Sequence, residues 1–390
     1  MKKISNKKDA AAAEKALLEV TSLPTAAAHE DAVIKYVADW AGSRSARLIL
    51  ERDRCGNLVL TRKDFKKACR GKAPLYITAH LDHPAFIVRS VKSSGDAELE
   101  FRGGVHDAYF KGAVIEIFDA ELARSFTARI IALDAKAKPF KTVHARLSRP
   151  ADAALIKAGC LGRWKFPRSS VRGGLAYTNG CDDLACVAAA LLAFDKISSD
   201  KKLAHVAVLF TRAEEIGFVG AIGAARGGTV PKNARLVCLE CSRSFPHDSP
   251  IGAGPIVRVG DRMSVFTPEL TNIVSNIAAG YQKENPAFKF QRKLMPGGVC
   301  EASAFSFYGL RSTCVCLPLG NYHNMQDPDA ALAGKKGKVG QEFIAVADFL
   351  GMIELLGAVA RGLDAPGEGM RGRMEKIWAQ HGALLSRDEK

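Results

Sequence analysis

A change of hydrophobic period partway along the chain constrains its fold more than any other feature. From about residue 87 to residue 171, apolar residues come in short alternating runs broken by glycine and charge, among them Ala97–Phe101, Ala113–Ile117 and Ala128–Ala132. A period of two puts one face of a strand on a core and the other toward water, which reads as antiparallel β structure. The flanking segments read differently. Ala10–Leu18 and Glu30–Trp40 have helical spacing, with Ala32, Val33, Tyr36, Val37 and Trp40 on one side, and Leu184–Phe194 is apolar nearly all round, as in a buried helix. Leu75–Ala79, Leu203–Thr211, Arg235–Leu239 and Thr313–Pro318 are short apolar runs that read as buried strands. Phe218–Ala225 starts a further helix, and Gln341–Arg361 reads as a long closing one. The expected fold class is therefore α/β: a phosphorylase/hydrolase-like catalytic domain from residues 1–87 and 173–390, carrying an inserted small β-barrel-like domain at residues 88–172.

Composition serves mainly to set classes aside. With 47% hydrophobic and 25% charged residues, the 390-residue chain has an ordinary globular balance. No apolar run reaches the roughly 18 residues that span a bilayer. Lysine-rich Met1–Lys8 is followed by Ala, Glu and Lys rather than an apolar core, so no secretion signal is read. Ten cysteines without paired spacing read as reduced thiols in a cytoplasmic protein. The net charge of +15 comes from stretches such as Arg62–Lys72, Arg163–Arg172 and Lys335–Lys338, which lack interleaved aromatics and any nucleic-acid recognition motif. They read as a solvated basic surface.

The residues able to do chemistry stand where the apolar runs stop. His80 and Asp82 follow Leu75–Ala79, Asp182 and Asp183 precede the buried helix, Glu214 and Glu215 follow Leu203–Thr211, Glu240 closes Arg235–Leu239, and His323 follows Thr313–Pro318. Ligands of open α/β sheets gather beyond the carboxyl ends of strands. Each piece has a bland reading: a hydrogen-bonded His–Asp pair, an N-cap, a solvated acidic turn. Glu240 is harder to dismiss, because a carboxylate closing an apolar run costs energy unless it is paired or metal-bound. Together, imidazoles and carboxylates in this number suit two borderline cations such as zinc.

The set Ala79-His80-Leu81-Asp82, Cys181-Asp182-Asp183, Glu214-Glu215-Ile216-Gly217-Phe218-Val219-Gly220-Ala221 and Tyr322-His323, in this order, resembles the tetrahedral and glutamyl aminopeptidases, co-catalytic di-zinc exopeptidases. Softer echoes are Asp53-Arg54-Cys55-Gly56-Asn57-Leu58 and Phe101-Arg102-Gly103-Gly104-Val105. The resemblance implies an α/β catalytic domain with an inserted β domain that mediates homo-oligomer contacts and shapes the substrate entrance. It implies one metal on His80 and Glu240, a second on Glu215 and His323, and Asp182 between them. Zinc is the implied metal, with cobalt or manganese as alternatives. Glu214 would be the general base, and Asp82 would orient His80.

Three positions depart from that family's pattern. His83-Pro84 replaces an acidic and a small apolar residue, Leu184 replaces an arginine, and Glu240 replaces an aspartate. Glutamate at the last position is typical of carboxypeptidases and deacylases, so a metal-dependent carboxypeptidase or N-acyl amino acid deacylase remains an alternative. Glu301, in Gly297-Gly298-Val299-Cys300-Glu301-Ala302, resembles a Gly-Thr-Asp-Ala segment near the relatives' active site. Two readings from other classes stand beside the enzyme: an inactive metal-binding scaffold, and a nucleic-acid-associated protein using the basic surface.

Overall fold

The computed structural model describes residues 7–365 and 370–385. Most of the lysine-rich Met1–Lys8 segment lies outside the described residues. An eight-stranded sheet runs in the order Leu48–Arg52, Leu58–Arg62, Val206–Thr211, Leu75–His80, Arg235–Arg243, Arg311–Leu319, Ile256–Arg258, Gln291–Lys293. Its four central strands, Val206–Thr211 to Arg311–Leu319, are mutually parallel. Leu75–His80 and Val206–Thr211 are buried at every position, which is why they read as continuous apolar runs and not as alternating ones.

Helices cover both faces. Leu17, the Leu184–Ile197 helix, Val274 and Phe349 share one core with Ile77 and Val208, whereas Ala221, Ala224, Ala302 and Phe305 share another with Tyr76 and Leu209. Neighbouring strand residues thus serve opposite cores, as the pleat demands. The helix Leu184–Ile197 buries all but three of its residues, Leu192, Asp195 and Lys196.

Between Leu75–His80 and Leu184–Ile197 the chain forms a closed six-stranded barrel. Strands Ala85–Val91, Asp96–Arg102, Lys141–Leu147, Ser125–Asp134, Val114–Phe118 and Leu161–Trp164 pair in that order, and the last returns to the first. Phe86, Phe101, Phe110 and Trp164 fill its interior, with ring centroids 4.8 Å apart for both Phe86–Phe101 and Phe86–Trp164. Closure removes the strand edges that an antiparallel module of this size would otherwise expose.

Several boundaries differ from the sequence reading: the strand from Arg235 continues past Leu239 to Arg243, the barrel's first strand begins at Ala85, and two further shifts have a visible cause. The long closing helix begins only at Val346 and runs to Gly362, because Glu342–Ala345 pairs antiparallel with Leu175–Thr178 in a small sheet. The strand expected from Leu203 starts at Val206, after a 3-10 turn at Lys201–Leu203 in which the Asp200 carboxylate accepts the Lys202 N–H at 2.9 Å. Side-chain capping overrode the apolar pattern there.

Candidate functional site

Strand register brings the chemical residues to one level. Thr211 stands opposite His80 where both their strands end, and Cys238 stands opposite Thr78, so Glu240, two residues on in a strand that continues to Arg243, comes to the same level. His80, Asp182, Glu214, Glu240 and His323 are all buried, and Glu215 nearly so. Donor atoms of His80, Asp182 and Glu240 lie within 4.8 Å of one another, as do those of Asp182, Glu215 and His323, and those of His80, Glu214 and Glu215. Every residue singled out from the sequence as a ligand or base therefore falls in one cluster, in which His80, Asp182 and Glu215 each belong to two donor sets.

Both imidazoles are oriented alike. His80 Nδ1 faces the Asp82 carbonyl oxygen at 3.2 Å, and His323 Nδ1 faces the Gly104 carbonyl oxygen at 2.6 Å. A carbonyl can only accept, so each Nδ1 carries a proton and each Nε2 is the ring atom that faces the carboxylates. His80 Nε2 stands 3.5 Å from Asp182, 3.8 Å from Glu240 and 4.0 Å from Glu214. His323 Nε2 stands 3.6 Å from Asp182 and 3.4 Å from Glu215. Good hydrogen bonds run shorter than most of these spacings. Two ligands at about 2.0–2.1 Å from one tetrahedral cation lie roughly 3.3–3.5 Å apart, which these spacings approach. Asp182 Oδ1 and Glu215 Oε1 are also buried without a hydrogen-bond partner, and such atoms demand one. The donor set fits a pair of divalent cations.

The electrostatics point the same way. Burial drives the Glu214 carboxyl well above its usual range, with Glu215, Asp82 and Glu301 reinforcing the shift against His80. Burial and Asp182 raise Glu240 likewise. Burial also opposes the charge on Asp182, but His323 and His80 outweigh it and hold that carboxyl low. Acids crowded this closely are stabilised by positive charge placed among them.

Several supports are invisible in the sequence. The Asp82 carboxylate accepts the backbone N–H groups of Glu214 and Glu215, each at 3.0 Å. Asp183 occupies the N-cap position without making a cap bond and instead accepts the His80 N–H at 3.2 Å. Glu342, expected inside a helix, accepts the N–H groups of Cys181 at 2.6 Å, Asp182 at 3.0 Å and His323 at 2.8 Å. It thereby anchors two members of the cluster, and nothing in its local sequence marked it as a strand residue. His83 sets its ring nitrogens against the Asp182 carbonyl oxygen at 2.5 Å and Asn324 Oδ1 at 3.0 Å. Glu301 is buried and bonded by the Thr211 hydroxyl at 2.9 Å, and burial lifts its carboxyl to about 7.

The turn bearing Glu214 and Glu215 is fastened from outside. Ala213 has φ 53°, a left-handed conformation that costs a residue with a Cβ about 1–2 kcal/mol. Buried Glu30 offsets this cost by accepting the Ala213 N–H at 3.0 Å and the Arg212 guanidinium at 2.8 Å. Asn57 closes the turn, accepting from Arg212 N at 3.1 Å and donating to the Gly220 carbonyl at 2.9 Å.

The cluster forms one wall of a cavity of about 530 Å³. Gly104, Val105 and His106 of the barrel reach it from one side, and Ser242, Arg258, Met295 and Gly297–Val299 line the other. The volume admits a side chain and a short stretch of peptide.

A family model described as M42 glutamyl aminopeptidase matches residues 56–330. No curated protein matches the sequence. Solved structures do. An aminopeptidase from the archaeon Desulfurococcus kamchatkensis aligns with a TM-score of 0.72 at 18% identity, covering 98% of this chain and 99% of that one. A TET aminopeptidase from a marine-sediment Thaumarchaeota archaeon gives 0.71 at 18% identity, over 92% and 98%. The TET1 peptidase of Pyrococcus horikoshii, which can assemble into a tetrahedron or a large octahedral shell, gives 0.69 at 19% identity, over 89% and 99%. At such identities the likeness is one of fold.

Proposed function

Since the chain belongs to the M42 glutamyl aminopeptidase family and is accordingly a metal-dependent aminopeptidase, we propose that it removes N-terminal residues from peptides with Glu214 as the general base. The observation that carries this reading is that Asp182 lies within reach of both His80 with Glu240 and Glu215 with His323, with the Glu214 carboxylate 4.0 Å from His80 Nε2. His80 and Glu240 would hold one cation and Glu215 and His323 the other, with Asp182 in contact with both. Zinc is our assignment, with cobalt and manganese as alternatives. Cations so held would polarise the scissile carbonyl and make a bound water more acidic.

The remaining steps belong to the chain. Glu214, directed into the cluster while Glu215 faces His323, takes the proton of the attacking water on a carboxylate oxygen and returns it to the leaving amine. Asp82 keeps the two glutamates apart in direction by holding both their N–H groups. It also presents its carbonyl to His80.

We take the chain before the barrel and from residue 173 on as the catalytic unit, and the barrel, whose first strand starts at Ala85 and not after residue 87, as an inserted unit at the cavity mouth. A homo-oligomer built through the latter follows the example of the Pyrococcus assembly, and light scattering tests it: a strict monomer would refute the assembly. No described helix is long and apolar enough to cross a membrane. All ten cysteines are free thiols, which fits the reducing cytoplasm in which we place the protein.

Glu240 favours a second reading, since it stands where the resembling aminopeptidases carry aspartate and carboxypeptidases or deacylases carry glutamate. One panel separates the two. Aminoacyl-anilides and N-acyl amino acids are offered to protein loaded with zinc, cobalt or manganese, and to chelated protein. Cleavage of anilides, abolished by chelation, is expected. Cleavage of the N-acyl series alone would replace the aminopeptidase with a deacylase.

A further inference from the structure

A second group of ligating side chains lies behind the catalytic cluster. Asp183, Cys186 and Cys241 bring a carboxylate oxygen and two sulfurs within 4.8 Å of one another, the same span that encloses each catalytic donor set, and all three are buried. Their meeting has a local cause. Asp183 and Cys186 take the N-cap and N3 positions of the Leu184–Ile197 helix, whose side chains face each other across the first turn. Cys241 lies on the strand Arg235–Arg243, where alternation turns it away from its neighbour Glu240 and into the core that Cys186 shares. None of the three belongs to the ligand set of the hydrolytic pair.

Two observations point to a cation. Asp183 Oδ1 is buried without a hydrogen-bond partner, its other oxygen accepting the His80 N–H at 3.2 Å. An acid at the N-cap ordinarily turns back onto the helix N–H groups, and this one does not. A buried carboxylate oxygen left alone demands a partner. The thiols, for their part, are held only weakly: Cys186 Sγ donates to the Glu240 carbonyl and Cys241 Sγ to the Cys181 carbonyl, each at 3.4 Å. Thiols are poor donors, so these contacts are readily given up. Two thiolates, a carboxylate and one of those carbonyls supply the four ligands of a tetrahedral site. The free N–H groups at the start of a 14-residue helix favour negative charge on Cys186.

We propose that Asp183, Cys186 and Cys241 bind one thiophilic divalent cation, zinc or cadmium, in a closed structural site separate from the hydrolytic pair. Entry of the cation releases one proton from each thiol to solvent. Cys241 borders the substrate cavity, so the site lies directly behind its wall. Occupancy ties the helix start that follows Asp182 to the strand that carries Glu240, and so fixes the backbone on two sides of the catalytic cluster. The site does not depend on the peptidase reading.

Cadmium, added to chelated and reduced protein, is the probe. Wild type should develop an ultraviolet thiolate-to-cadmium charge-transfer band that saturates at one sulfur-bound ion per chain. Cys186→Ser/Cys241→Ser should lose the band. Cys314→Ser/Cys316→Ser, which alters a different pair of thiols 3.4 Å apart, should keep it. Manganese avoids thiolates, so it should load two ions per chain in wild type and in Cys186→Ser/Cys241→Ser alike, which also reports that the variant is folded at the cluster. Zinc should load three in wild type and two in that variant. Cadmium NMR needs no change at the site itself: one resonance in the downfield range of two-sulfur coordination is expected in wild type and again in Cys314→Ser/Cys316→Ser. Absence of the band and the downfield resonance from wild type, or a band that survives in Cys186→Ser/Cys241→Ser, would overturn the proposal. If manganese fails to bind while the sulfur-bound cadmium remains, the hydrolytic pair falls and this site stands.

Discussion

The Asp82 carboxylate meets the backbone N–H of Glu214 at 3.0 Å, so a residue at the end of one strand holds the proposed base at the end of its neighbour. Because the other oxygen holds Glu215 at the same distance, Asp82→Asn replaces one acceptor oxygen with an amide that faces an N–H. We expect kcat and metal affinity to fall together, each about 10- to 100-fold, in a protein with native circular dichroism. Unchanged affinity in a chelator competition would remove the supporting role.

Glu214→Gln keeps the size of the side chain but cannot accept a proton at neutral pH. Turnover should fall on the order of 100- to 10,000-fold while elemental analysis still finds two divalent ions per chain. Glu215→Gln should lose one ion. A Glu214→Gln protein that loses an ion instead would exchange the roles of the two glutamates.

Gly220 is irreplaceable for a reason of space. A Cβ there would lie 2.4 Å from the Arg212 carbonyl oxygen and 2.6 Å from Asn57 Oδ1. Gly220→Ala should therefore cost about 1–3 kcal/mol of stability and displace the turn that carries Glu214 and Glu215. A lowered thermal midpoint with activity reduced even in the folded fraction is the expected pair of results. Wild-type activity per folded molecule would show that the turn tolerates the shift.

A pH effect is expected far from the site. Asp195 receives Arg44 through Nε at 2.8 Å and Nη2 at 3.1 Å, and also pairs with Arg47. Burial works against its charge, but the two guanidinium groups outweigh it and lower its pKa. A carboxylate depressed on folding contributes stability above its unfolded pKa of about 3.9, and that contribution fades as pH falls through the lower folded value. Asp195→Asn should thus lower stability by about 1 kcal/mol at pH 7, a partly exposed pair being screened. The gap from wild type should close below about pH 4. A gap independent of pH would assign the loss to packing.

What the sequence made legible follows from range. Strands such as Leu75–His80 and helices such as Leu184–Ile197 declare themselves through apolar periodicity, and His80, Asp182, Glu214, Glu215, Glu240 and His323 were noticeable because they interrupt or end those runs. The helix starting at Val346 was drawn too long because Glu342–Ala345 is a four-residue strand whose partner, Leu175–Thr178, lies far away in the chain. Glu30, Asn57, Glu342 and Arg258 carried no local signal. Their partners, Ala213, Gly220, His323 and Ser242, are distant in sequence, and a lone polar residue in an apolar neighbourhood does not announce what it will meet. The Asp183 position read as an N-cap because that is what an acid before a helix usually does, but the long-range bond to His80 N took precedence.

The bond between His323 Nδ1 and the Gly104 carbonyl ties an imidazole of the α/β sheet to a loop that follows a barrel strand. Excising the six barrel strands alone, while keeping the Leu175–Thr178 strand that pairs with Glu342–Ala345, would leave the carboxylates of the cluster on their own elements and still release that ring to turn. A graft that supplies a different barrel inherits the same obligation: some backbone oxygen must arrive where Gly104 now brings one. Surfaces of the barrel remote from that oxygen carry no such duty toward the cluster. Redesign of the entrance therefore has wide latitude in side chains and almost none at one point of main chain.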